Sequence, residues 1–383
     1  MRRGIRLLVS VTCLMYLPVS VQIFEEEDRN MNRKASLFSL CVGGIGIAML
    51  SCVGAEPARA DGPAPPSYQL LTKIAIGGEG GWDYLTVDSA AHRLYVTRGT
   101  HVMVIDTEKN AVVGDIPNTP GVHGVAVAPK LGRGYTSNGR ENTVTVFDLK
   151  TLKELQRVAV GKNPDAILFD PATKRVFTYN GSSNDITALD AMSGKVLGTI
   201  PVGGKPEFCA TDEKGTIFAN IEDTSEILAI DAMSLKVKSR WPIAPVDGPS
   251  GLAYDKAHHH LFAVGGNEMM AVVDSVTGKL VGKPTIGKGP DAAAFDPGYG
   301  IAISSNGQDG TLTLVGEDSK KMTFSAIGTV ATQRGARTMA IDPKTHRIYL
   351  ITASFKPAEP GAAQRRPAME PNSAVILVYG TDK

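Results

Sequence analysis

The chain has 383 residues, with 40 Lys and Arg against 39 Asp and Glu, and 43% of its residues are hydrophobic. That size and apolar share suffice for a substantial buried core. The balanced charge lacks the basic excess that phosphate neutralisation needs, which makes nucleic acid a poor expected partner.

The first 60 residues read as targeting sequence. Met31-Asn32-Arg33-Lys34 is a basic start, residues 35–54 are mostly apolar, and Ala58-Arg59-Ala60 fits a small-x-small cleavage site. This is the three-part pattern of a secretory signal peptide, so residues 31–60 are expected to be removed after Ala60 and the protein to be periplasmic or secreted. A second apolar run, residues 5–24, is closed by Glu25-Glu26-Glu27-Asp28. Two stacked export signals make little physical sense, so Met31 is expected to be the true start and 1–30 a misassigned extension. The alternative is a membrane anchor, for which 5–24 is long enough. Cys52 follows Met49-Leu50-Ser51, which lacks the leucine of a lipoprotein signal.

Residues 1–60 hold seven basic and five acidic residues, so 61–383 keeps 33 and 34 and is electrically balanced. Cys13, Cys41 and Cys52 fall in the targeting region, and Cys209, the only one beyond it, has no intrachain partner. It is expected to be a small buried apolar residue. The mature chain is expected to be a monomer and not to insert in a membrane.

After residue 80 one unit recurs seven times. Its register reads Leu85-Thr86-Val87-Asp88, Val125-Ala126-Val127-Ala128, Ile167-Leu168-Phe169-Asp170, Cys209-Ala210-Thr211-Asp212, Leu252-Ala253-Tyr254-Asp255, Ala293-Ala294-Phe295-Asp296 and Met339-Ala340-Ile341-Asp342, at steps of 40, 42, 42, 43, 41 and 46 residues. A period of about 40–45 residues with four short strands is that of a β-propeller blade. Residues 61–383 are therefore predicted to be all-β: a seven-bladed β-propeller of four-stranded antiparallel blades. The second blade shows the logic, with inner strand a at 125–128, b at 133–137, c alternating Thr143, Val144, Thr145 and Val146, and d at 152–160. Asp106, Asp148, Asp190, Asp231 and Asp274 mark the c-to-d turns, where Gly194 and Gly278 supply positive φ. Blade seven has only three strands at the C-terminus (337–342, 347–353 and 374–379). Its outer strand is predicted to come from residues 68–76, which closes the ring with the N-terminal strand of the mature chain and hides an edge. Residues 356–372, rich in Pro and Ala, are expected to form an extended b–c loop.

The b strands run Tyr95-Val96-Thr97-Arg98, Tyr135-Thr136-Ser137-Asn138, Phe177-Thr178-Tyr179-Asn180 and Ile303-Ser304-Ser305-Asn306. Here the chain resembles the YVTN-repeat propellers, and 68–383 is similar to exported proteins of the YncE family. The resemblance implies an exported seven-bladed propeller and little about chemistry. Phe262-Ala263-Val264-Gly265 and Tyr349-Leu350-Ile351-Thr352 depart from the motif.

Because a and b are antiparallel, the start of a and the end of b share one face of the ring. Counting five residues back from each unit's last position gives Asp83, His123, Asp165, Glu207, Ser250, Asp291 and Arg337, with Asn138, Asn180 and Asn306 at the b-strand ends and Asn220 near that place in blade four. Three readings of this channel mouth are open. It is simply wet, with Asp after Pro as a turn residue. It binds a small polar ligand or a divalent cation such as Ca²⁺ through Asp83, Asp165, Glu207 and Asp291, whose mutual repulsion raises a pKa unless a cation or Arg337 compensates. Or it is a metal-assisted hydrolase or lactonase with His123 as proton carrier. Trp82 can wall the mouth or stack a ring-shaped ligand. Arg334 and Arg337 flank Gly335-Ala336 and can hold an anion, although Arg337 is expected rather to pair with the ring carboxylates, and His101 is placed to approach His123. His258-His259-His260 is expected in a surface turn on the opposite face. No phosphate loop, serine elbow, CxxC or HExxH is present. A non-catalytic binding propeller for a small ligand, cation or partner protein leads, with the hydrolase as the alternative.

Overall fold

Seven four-stranded antiparallel sheets form a ring in the computed structural model, which describes residues 65–78, 80–318, 321, 323–356 and 368–381. The expected signal peptide and its cleavage site, the start at Met31, Cys13, Cys41 and Cys52, and most of the 356–372 loop lie outside the described residues. Blade two comprises Val122–Ala128, Arg133–Asn138, Thr143–Asp148 and Glu154–Ala159 as strands a to d. The inner strands of the other blades are Leu85–Asp88, Pro164–Asp170, Pro206–Thr211, Pro249–Asp255, Pro290–Asp296 and Met339–Asp342. Among the described residues the one helical element is a 3-10 turn, Pro129–Leu131.

Each blade carries its own turn chemistry. The carboxylates of Asp106, Asp148, Asp231 and Asp274 each accept two backbone N–H groups from the turn that follows, and Asp190 accepts that of Ser193. Such bonds favour the ionised form, and all five acids are held below the usual carboxylate range. At the a–b turns the carboxylates of Asp88, Asp255 and Asp342 likewise accept backbone N–H groups. The recurring Asp is therefore what turns the chain at both ends of a blade.

Closure follows the predicted route. Tyr68–Ala75 pairs antiparallel with Val375–Thr381, the third strand of blade seven, and becomes its outer strand. The Tyr68 hydroxyl donates to Asp296 Oδ2 in blade six at 2.8 Å, in a buried bond that ties the first strand to a second blade. Inner strands of neighbouring blades pack against each other all the way round, including those of blades seven and one. The b and c strands supply the core, with Leu94, Tyr135, Phe177, Ile217, Phe262, Ile303 and Tyr349 buried between sheets. Cys209 is buried in strand a of blade four, and burial raises its thiol pKa.

Candidate functional site

The mouth residues owe their place to a repeated irregularity in strand a. In blade two Val122 pairs with Asn138 and Val125 with Thr136, so the inner strand holds one extra residue, at His123-Gly124. The same bulge falls at Asp165-Ala166, Glu207-Phe208, Ser250-Gly251 and Asp291. A β-bulge twists the strand and re-aims the bulged side chain, here toward the channel in five successive blades. The preceding blade holds two of these bulges, and the unbulged Arg337, by their backbone carbonyls. Ser137 Oγ donates to the carbonyl of Asp165, Asn220 Nδ2 to that of Ser250 at 2.7 Å, and Ser305 Oγ to that of Arg337. These three residues occupy equivalent positions in strand b, facing Val144, Ile227 and Leu312 of strand c.

The ring of charges is not uniform. Asp83 sits between two cations: its Oδ2 lies 2.7 Å from His123 Nδ1 and its Oδ1 3.7 Å from Arg337 Nη2. Arg337 also pairs with Asp291 and donates to the Trp82 carbonyl at 3.2 Å. Lys205, from the loop before strand a of blade four, lies 3.0 Å from Glu207 Oε2 and pairs with Glu222 as well. Asp165 is the exception. It is 8% exposed, and its nearest cation is His123 Nδ1 at 3.5 Å; its Oδ1, like Glu207 Oε2, has no hydrogen-bond partner.

The acidities follow. Burial, reinforced by the charge of Asp83 and opposed by His123, pushes Asp165 up to about 6. Burial and then the charge of Asp165 push Glu207 up to about 8, against the pull of Lys205. Burial lowers the His123 pKa, but the hydrogen bond it donates to Asp83 and the charges of Asp165, Asp83 and Glu207 outweigh it and leave the imidazole more basic than usual.

Asp83, His123 and Asp165 each bring one ligand-type atom to within 4.8 Å of the others. Of the four carboxylates expected to share an ion, Asp83 and Asp165 come together, while Glu207 and Asp291 are turned to Lys205 and Arg337. The imidazole changes the chemistry as well, because nitrogen beside carboxylate suits Zn²⁺ or another transition ion better than Ca²⁺, which takes six to eight oxygens.

Asn138, Asn180 and Asn306 lie at the expected strand ends but do not line the channel. All three are 0% exposed. Each amide oxygen accepts from a hydroxyl two residues back (Thr136, Thr178, Ser304), and each Nδ2 donates into strand c: to Thr143 and Thr145, to Asp185 and Thr187, and to Thr311 and Thr313. His101 turns away from His123, with its Nε2 3.7 Å from Asp115 on strand d of its own blade. Trp82 packs on Phe355, ring centroids 6.3 Å apart.

The three histidines of blade five do not share a surface turn. His258 and His259 do lie in the turn, whereas His260 opens strand b, is buried, and faces Glu317 Oε2 of blade six at 3.3 Å. Asp255, His260 and Glu317 form a second group with metal-type atoms close together. At the matching position Arg93, Arg175 and Arg347 reach carbonyls of the next blade, at Leu149, Ala232 and Thr107. His260 with Glu317 takes the place of that inter-blade strap.

Sequence reasoning missed Tyr84. It follows Asp83 in blade one, yet its ring meets Phe208 of blade four edge-on at 4.9 Å. It therefore crosses the channel beneath the charged ring. Burial and the charges of Asp165, Glu207, Asp83 and Asp291 raise its pKa. Lys205 was also missed, although it stands two residues before Glu207.

No protein-family model matches the chain, and no curated protein matches it in sequence. Among solved structures it is similar to hydrazine synthase from Kuenenia stuttgartiensis, with a TM-score of 0.61 and 15% identity over 70% of this chain and 92% of that one. At that identity the likeness carries the β-propeller fold alone, a fold that hosts many unrelated functions.

Proposed function

We propose that the protein is an exported, non-catalytic binding propeller whose channel mouth holds a divalent transition ion through Asp83, His123 and Asp165. A small polar ligand or a partner protein would dock on the same mouth. Membership of the YncE family is part of this reading and rests on the YVTN-like b strands. One observation carries the metal assignment: a nine-tenths buried carboxylate, Asp165, keeps an oxygen without a hydrogen bond beside a carboxylate and an imidazole. A buried polar atom left in that state is costly, and an ion among the three side chains removes the cost.

The test is melting of residues 61–383 after chelation, with Zn²⁺, Mn²⁺ or Ca²⁺ added. At 100 times Kd an ion that binds only the folded state stabilises it by about 2.7 kcal/mol. The expected order places Zn²⁺ or Mn²⁺ ahead of Ca²⁺, with the shift lost in His123→Gln. Absence of a shift with every ion, or a shift that survives His123→Gln, removes the metal from the reading. Because His123 must lose its Nδ1 proton to bind a metal, the affinity should rise with pH.

A metal-dependent hydrolase or lactonase is the second reading, favoured by Glu207. With its carboxyl pushed up to about 8, Glu207 carries a proton at neutral pH and is placed as a general acid next to the cluster. Turnover of a lactone and ester panel by the metal-loaded protein, lost in Glu207→Gln, would select it.

A further inference from the structure

A second site lies on the same face, beside the mouth ring, with which it shares Trp82, Asp291 and Arg337. A cleft of about 760 Å³ opens over blades six, seven and one. Its walls come from three loops that lead into strand a (Gly80-Gly81-Trp82, Gly289-Pro290-Asp291 and residues 334–337), and from two b–c loops (Gly307-Gln308, and Phe355 with Met369 and Pro371). The volume lies within the range of small-molecule sites, and so does the makeup: apolar walls with a few polar groups.

The cleft is built rather than incidental. Phe355 pairs with Met369 across the base of its loop. It lies so close to Gly335 that a Cβ there would come within 2.5 Å of the ring, and Gly335 has φ +86°. Only glycine suits that position both sterically and conformationally. Trp82 packs against Phe355 and continues the same apolar wall, with Nε1 buried and without a hydrogen-bond partner. The indole is therefore held by packing alone.

The charges in the lining decide what the cleft accepts. Asp291 and Arg337 neutralise each other on the inner wall. Arg334 is exposed at the rim, and among the described residues its side chain has no ion pair. That leaves a cationic, planar donor in a lining that also holds two aromatic rings. Guanidinium forks pair with carboxylates and stack on aromatic faces.

We propose that this cleft binds a small aromatic carboxylate, its ring against the wall that Trp82 and Phe355 form together and its anionic group on Arg334. The site does not depend on the metal cluster, and the two are tested separately by working in chelated buffer.

The probe is 1-anilinonaphthalene-8-sulfonate, a flat aromatic anion whose emission rises in apolar clefts, followed by displacement with 2-naphthoate or its neutral analogue 2-naphthalenemethanol. The chain holds two tryptophans, Trp82 and Trp241, so Trp241→Phe makes Trp82 the sole intrinsic reporter. Saturable probe emission is expected, with Trp82 emission falling at the same midpoint. Naphthoate should displace the probe better than the alcohol by about tenfold, roughly one charge-assisted contact, and Arg334→Gln should erase that preference while leaving the alcohol unchanged. Phe355→Ala should weaken both. No probe binding, binding that leaves Trp82 emission unchanged, or a naphthoate preference that survives Arg334→Gln would each overturn the proposal. Arg334 is exposed and only its backbone carbonyl is bonded, to Thr352, so that variant is expected to fold.

Discussion

Asp165→Asn should stabilise the metal-free protein, and the size of the effect can be worked out from the site. Asp165 is held at about 6 in the folded protein against an ordinary 3.8. At 1.36 kcal/mol per pKa unit, keeping it ionised costs the fold about 3 kcal/mol once the pH is well above 6. Asparagine removes the charge but leaves a polar group to satisfy, which offsets on the order of 1 kcal/mol. A net gain of about 1–3 kcal/mol remains. A domain of this size has an unfolding entropy of roughly 0.7 kcal/mol/K, so the rise in Tm is about 2–4 °C. The sign depends on pH. Below about pH 4 Asp165 is protonated in both the folded and unfolded chains and the variant gains nothing, whereas the full gain appears above about pH 6. Melting in chelated buffer at pH 4 and pH 8 reads both ends, and the same variant should lose the metal-induced shift. A variant less stable than the parent at pH 8 without metal would refute the reasoning, because it would mean that the carboxylate is satisfied and structural.

Three further outcomes separate the mouth residues from one another. Asp291→Asn should destabilise by about 1–2 kcal/mol, opposite in sign to Asp165→Asn, because it removes the paired carboxylate of a half-buried Arg337; urea midpoints of the two single variants check this. Asn180→Ala should cost about 2–3 kcal/mol by orphaning buried hydroxyls and leave metal binding by calorimetry unchanged; a lost metal signal in a folded variant would return the asparagines to the site. In chelated buffer the parent should lose stability as pH rises from about 4 toward about 8. Asp165 and Glu207 hold their protons more tightly folded than unfolded over that span. The Asp165→Asn, Glu207→Gln double variant should flatten the profile, which is read from melts at half-unit pH intervals.

The ring was legible because the code for it is local. Asp106, Asp148 and their equivalents bond the turns that follow them, so the spacing of one residue type reported the spacing of blades. The mouth positions were legible for a related reason: in blades two to six a bulge at a constant offset from the unit's end aims one side chain inward. Strand alternation misled the reading of Asn138, Asn180 and Asn306. Side chains in a strand alternate between faces, so the residue before the asparagine, Ser137 or Ser305, meets the next blade's mouth while the asparagine points back into its own sheet. Asn220 stands one place earlier and does the serine's work. Charge compensation was legible only in part: Arg337 was expected to offset the ring carboxylates and pairs with Asp291 and Asp83. Whether Asp291 or Asp165 has a cation beside it depends on which blade is the neighbour and on loop residues such as Lys205.

A mouth that is polar only because it is wet makes a different demand on its carboxylates. Water would solvate each of them, and their acidity would stay near that of an exposed acid. Asp165 and Glu207 are instead largely buried, with Tyr84 and Phe208 packed across the channel from opposite blades. Their neighbours carry the compensating charges unevenly: Asp83 has two cations and Asp291 one, whereas Asp165 shares only the far side of His123. A symmetric solvated rim has no reason to spread its charges this way. An asymmetric rim, with one segment starved of positive charge and the segment beside it neutralised, is what holding a cation at one place and an anion at the next requires. The Asp83–His123–Asp165 cluster is the first of these places, and the rim of the Trp82 cleft, where Arg334 stands, is the second.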